Sequence, residues 1–331
     1  MITPTIQPAT TTDRPLLSRV ADSLYWMSRY VERAEHVARV LKITTNLLMD
    51  VGDLGEEMLD RQWQSLIQLS GSAEQPPGVG NLGERVSRWL TFDPLNPVSL
   101  YSCISSAREN ARAIRSEISA EMWEHINSLY WAMRSDETRA RFDEQPEEIF
   151  NAAIVGSMLF QGVTDQTLDH DQRWRFCQLA KGLERIDITC RIIEARVDAI
   201  QDADDQLELP LRNILWMSVL RMCCSIEAFR RQYSSDLDPL TVVGFLILED
   251  EFPRSVRFNV STALQSIAAI RQACSPNATD PAERILGRLA AKLAYANEDE
   301  IDAQGMKSYL RQILIETQAA SLAVQQTYFS K

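Results

Sequence analysis

Residues 28–41, SRYVERAEHVARVL, return in altered form at residues 180–193 as AKGLERIDITCRII, without a gap and 152 positions later (180 minus 28). Glu32 then matches Glu184, Arg33 matches Arg185, the acids Glu35 and Asp187 coincide, and Arg39 matches Arg191. Both stretches have a helical period. In the first, Val20, Leu24, Met27, Val31, Ala34, Ala38 and Leu41 fill one arc, with Glu32, Glu35 and Arg39 at its border. In the second, Leu179, Leu183, Ile186, Cys190, Ile193 and Val197 form the apolar arc, and Glu184, Asp187 and Arg191 share a stripe beside it. Ile188 and Ile192 flank that stripe on its far side, so the sequence predicts that it faces inward.

Glu35 with Arg39, and Asp187 with Arg191, could each be a surface i,i+4 pair contributing a few tenths of a kcal/mol. That explains either copy alone. It does not explain why E-R-x-[ED]-x3-R recurs as a unit in helices that otherwise differ. The repeat points to a shared internal network between two related helices of a duplicated bundle.

A third stretch, ARENARAIRSEISAEMWEHIN from Ala107, places Arg108, Arg112 and Arg115 on one stripe, where like charges repel unless something negative lies opposite. Glu32, Glu35, Glu184 and Asp187 are the economical counter-charges. Two arrangements follow. One is a buried network that fixes how the helices cross, its net stability offset by desolvation. The other is an open cleft whose spare arginines hold a phosphate or carboxylate, with Glu32 or Glu184 as the candidate general base. Arg254, at the Pro253-Arg254-Ser255 start of a later helix, could add an anion-friendly terminus, although ordinary helix initiation explains it as well.

Prolines and caps punctuate the rest. Asn96-Pro97, Asp238-Pro239 and Asp280-Pro281 pair a capping side chain with proline at a helix start, and Glu283 would complete a capping box with Asp280. Helices are expected at roughly 16–49, 57–70, 97–118, 120–134, 146–163, 171–202, 210–234, 253–274, 281–296 and 304–328. The fold class is all-α: a multi-helix bundle with internal pseudo-duplication and no significant sheet. LTVVGFLIL at 240–248 is the one stretch β-branched enough to compete as a strand. Residues 1–15 read as a disordered tail, and 16–331 as a single domain with halves near 16–165 and 166–331. Gly78 to Gly83 matches GxGxxG, but Pro76 and Pro77 precede it after a polar run, so it is read as chance.

Several chemistries are disfavoured. With 46 acidic and 34 basic residues the net charge is -12, which opposes phosphate backbones and anionic lipid, so neither nucleic acid nor membrane is expected as a partner. Of the basic residues 29 are Arg and 5 are Lys, a bias that suits internal salt bridges or anion sites and that a GC-rich genome would also produce. The six cysteines form no CxxC pair and read as reduced core residues of a cytoplasmic protein. No signal peptide is read in the first residues. No Glu-x-x-His occurs among the three histidines, no Walker, GxSxG or HExxH motif is present, and neither metal nor cofactor is expected. His36, four residues after Glu32, reads as a helix-surface pair.

LLSRVADSLYWMSRYVERAEHVARVL, ARENARAIRSEISAEMWEHIN, GLERIDITCR and FLILEDEFPRSV, in that order, resemble the alpha-E proteins, bacterial all-helical proteins named for a Glu-Arg motif. Lys181-Gly182 departs from the Gly-Arg expected before the second Glu-Arg. The resemblance implies association with circularly permuted ATP-grasp proteins and with transglutaminase-like proteases, in ATP-dependent amide or peptide bond formation. It implies a helical accessory protein that positions or shields the acyl acceptor. The rival expectation is an enzyme in its own right, with a Glu/Arg-lined pocket for an anionic substrate.

Overall fold

The computed structural model describes residues 16–50, 56–71, 75–201, 209–233 and 237–329. The tail expected at residues 1–15 lies outside them. Among the described residues there are fifteen α-helices and no strand. In the first half these are α1 (Ser18–Asp50), α2 (Glu56–Leu69), α3 (Leu82–Phe92), α4 (Leu100–Ala113), α5 (Ala120–Arg134), α6 (Asp136–Arg141) and α7 (Pro146–Thr167). The second half holds α8 (Gln172–Gln201), α9 (Leu209–Met222), α10 (Ile226–Gln232), α11 (Pro239–Leu248), α12 (Val256–Cys274), α13 (Pro281–Tyr295), α14 (Glu298–Gln304) and α15 (Met306–Val324). A π-helical turn, Gln325–Phe329, ends the described chain.

The caps show the duplication most clearly. Ser99 caps α4 and Ser255 caps α12, each side chain accepting from the backbone N–H three residues on. Each hydroxyl also donates to the carbonyl six residues back, Ser99 to Asp93 and Ser255 to Glu249. Pro-x-Ser is thus the same loop twice, and it places α3 before α4 as α11 stands before α12. Packing repeats as well: α1 lies against α4 and α7, α8 lies against α12 and α15, and the long helices α1 and α8 pack on each other at the centre. The short acidic-start helices α6 and α14 each precede the last helix of their half.

Several expectations change. The helix expected from 97 starts at Leu100, because Asn96 accepts from Val98 N–H in a turn and Ser99 is the true cap. Likewise the helix after Pro253 begins at Val256. The helix expected over 210–234 is broken between α9 and α10, where Cys224 takes a positive φ of 55° and Ser225 N–H bonds back to Leu220. LTVVGFLIL lies in a helix, α11, capped by Asp238 with Pro239 at its first turn and buried from Val242 to Ile247. Asp280 caps α13 by accepting from Glu283 N–H, but the Glu283 carboxylate turns to Arg271, so only half of the capping box forms. Of the GxGxxG glycines, Gly78 and Gly80 lie in the bend before α3, which Asn81 caps, and Gly83 lies in the first turn of α3, with no strand before them among the described residues.

Candidate functional site

Glu32 and Arg33 on α1 face Glu184 and Arg185 on α8. Each copy's acid binds the other copy's guanidinium. Arg185 donates from Nε to Glu32 Oε1 at 2.5 Å, and Arg33 donates from Nε to Glu184 Oε1 at 2.6 Å and from Nη2 to Oε2 at 3.0 Å. The pattern is the internal equivalent of an isologous two-fold contact. Both acids are 2 % exposed. Ile188 and Ile192, expected to close the far side of the stripe, are buried.

Each half of the network has a further cation. Arg29, one turn before Arg33, donates to Glu184 Oε2 at 2.6 Å and to the Tyr25 hydroxyl at 2.9 Å. Its counterpart 152 positions on is Lys181, which is partly buried and contributes a favourable field at Glu32 without an ion pair. On the Glu32 side Arg254 takes that place, donating to Glu35 Oε2 at 2.9 Å and lying 3.9 Å from Glu32. Arg39 closes on Glu35 within α1, and Arg191 on Asp187 at 2.7 Å within α8. These last two are the expected i,i+4 pairs. Sequence reasoning missed Arg29; its signal was its place one helical turn before the Glu-Arg pair.

Burial raises the Glu184 carboxyl, but the charges and hydrogen bonds of Arg29 and Arg33 outweigh it and bring it to about 2. Glu32 behaves alike: burial raises it, and Arg185, His36 and Arg254 pull it well below the ordinary range. Glu35 is also lowered, chiefly by Arg254 against its own burial. All three are therefore firmly ionised and poor proton acceptors near neutral pH.

His36 corrects the surface-pair reading, because it is 2 % exposed. Its Nε2 lies 3.3 Å from Glu32 Oε1 and its Nδ1 4.0 Å from Glu35, yet neither nitrogen makes a well-directed hydrogen bond. Glu32, Glu35 and His36 place ligand-type atoms within 4.8 Å of one another. The carboxylate oxygens already serve Arg185, Arg254 and Arg39, so a divalent cation there would meet three guanidiniums at close range.

The Arg108, Arg112 and Arg115 stripe does not join the network. Arg108 donates to Asn127 at 2.8 Å and to Glu109, and Arg112 pairs with Glu109 at 2.6 Å. Their repulsion is relieved by aromatic faces on α5. Arg108 lies over Trp123, Tyr130 and Trp131, Arg115 over Trp123, and Arg134 over Tyr130 and Trp131. The negative partner expected opposite them is largely a set of ring quadrupoles. The signal was present in the sequence as Trp123, Tyr130 and Trp131, spaced to share one side of α5.

A cavity of about 610 Å3, lined by Trp63, Glu84, Arg88 and Asp143 among others, lies apart from both Glu-Arg copies. No helix among the described residues is long and apolar enough to cross a membrane. All six cysteines are free, four of them buried.

Uncharacterized proteins from Mycobacterium bovis and from two strains of Mycobacterium tuberculosis are 22% identical to this chain over 317 residues, which is 89% of this chain. The match spans 35% of the length of each of these curated relatives. No solved structure matches the chain. Residues 16–329 match the Alpha-E family, described as "a predicted alpha-helical domain with a conserved ER motif". With two Glu-Arg pairs crossing at the centre of an all-helical chain, this protein belongs to the Alpha-E family.

Proposed function

We propose that this chain is a helical accessory protein of an amide-ligase system, binding a circularly permuted ATP-grasp protein and positioning or shielding its acyl acceptor. The ligase would make an acyl phosphate, and an amine would displace the phosphate. This chain has no nucleotide-binding sheet among its described residues, so the activating role belongs to the partner. The observation that carries the reading is the closed Glu-Arg network, whose acids are saturated by arginine and held low in pKa. Such groups fix a helix crossing; they are ill suited to general-base work. The rival reading, an enzyme using Glu32 or Glu184 as base, has this electrostatics against it. The partner's identity rests on the Alpha-E resemblance, and the longer mycobacterial relatives suit a unit that works beside other polypeptide.

The aromatic and arginine face of α4 and α5 is suited to that contact. Trp131 is 53 % exposed, and Trp, Tyr and Arg are the residues in which interface hot spots are richest. The test is to copurify the tagged chain with the ATP-grasp protein and assay amide formation with and without it. Stable association and loss of activity on removal are expected; unchanged activity without this chain overturns the reading.

A further inference from the structure

Beside the network, α1, α8, α15 and the start of the π-helical turn line a small open well of about 130 Å3. The charged residues lining it are Arg29 and Asp187; Gln318, Ser321 and Gln325 supply polar groups. Arg29 is 8 % exposed. Its Nε is taken by Glu184 and its Nη1 by the Tyr25 and Ser321 hydroxyls, at 2.9 and 3.2 Å. Among the described residues its Nη2 has no hydrogen-bond acceptor. On this side of the network three guanidiniums, Arg29, Arg33 and Arg191, share two carboxylates, Glu184 and Asp187, leaving one positive charge over. The chain also turns from α- to π-helix at Gln325, on the wall of the well, and such irregular turns are frequent at functional sites.

We propose that this well is a binding subsite for a small monocarboxylate, held by Arg29 Nη2 with the Gln318 amide at the rim. Charge selects the ligand. One surplus positive charge matches a monoanion, and Asp187 on the wall opposes a dianion such as phosphate. Size suits it too, since the well takes a carboxylate and a few further atoms. The inference does not depend on the ligase reading, because the isolated chain is tested without a partner.

The experiment is calorimetric titration of the full chain with N-acetylglycine in mildly alkaline buffer, with N-acetylglycinamide as the uncharged control and inorganic phosphate, mostly the dianion under those conditions, as the dianionic one. Saturable one-site binding of N-acetylglycine at millimolar or lower concentration is expected, with none for the amide and weaker binding of phosphate. Gln318 is exposed, so Gln318→Glu should leave the melting temperature unchanged and weaken binding about tenfold. Asp187→Asn should tighten it severalfold. The proposal is overturned if N-acetylglycine fails to saturate, if the amide or phosphate binds as tightly, or if neither substitution changes the affinity.

Discussion

Glu184 is fixed by two arginines from another helix, and its removal leaves both without their counter-charge. Glu184→Gln should therefore destabilise the fold by about 3 kcal/mol, the usual scale for breaking one side of a buried ion pair, seen as a lower denaturation midpoint. The pH dependence has a definite sign. The folded carboxyl titrates at about 2 against an ordinary 4.5, so its stabilisation is complete above 4.5 and is lost as pH falls from there towards 2. The difference of about two to three pKa units corresponds to about 3 kcal/mol. Unfolding free energies should thus separate wild type and Glu184→Gln near neutral pH and converge near pH 2. A gap independent of pH would refute the ion-pair origin. At this scale the sequence disclosed the members of the network but not their pairing. Spacing within a helix reveals only i,i+4 neighbours, whereas the decisive partners of Glu32 and Glu184 come from 153 and 151 residues away. The outward placement of Arg108 was hidden for a related reason: charge repulsion along a helix does not specify whether a carboxylate or an aromatic ring relieves it.

Helices α8 and α12 approach closely at Gly182, where a Cβ would lie 3.1 Å from the backbone carbonyl of Asn259. Helix propensity alone favours alanine there by about 1 kcal/mol, while overpacking against backbone costs about 1–3 kcal/mol. Gly182→Ala should accordingly lower the melting temperature, and a rise would show that the helices part at little cost. The long helices and the Pro-led starts of α7, α11 and α13 were legible, because period and capping are local. The breaks were harder. The stop after α9 depends on Cys224 in a left-handed conformation that glycine would have advertised. Helices α3, α6 and α14 have 11, 6 and 7 residues, so their periodicity is too brief to separate from a capped loop.

Across the molecule, the chain is a duplicated helical unit whose halves meet through α1 and α8, with the arginine and aromatic face of α4 and α5 turned outward. If that face receives the partner, Trp131→Ala combined with Arg112→Glu should abolish copurification with the ATP-grasp protein while leaving the melting temperature nearly unchanged. Both side chains are more than half exposed, so unchanged copurification would place the contact elsewhere. The all-helical class was readable from helical period and caps together, whereas the proposed partner rests on family resemblance alone, because no catalytic motif was found in the sequence. The central claim is that each Glu-Arg copy pairs with the other, and a double-mutant cycle tests it most directly. Denaturant unfolding of Glu184→Gln, of Arg33→Gln and of their double variant should give a coupling above about 1 kcal/mol, with much less between Glu184 and its chain neighbour Arg185. Coupling that is negligible across the helices, or larger between Glu184 and Arg185, would contradict the crossed network.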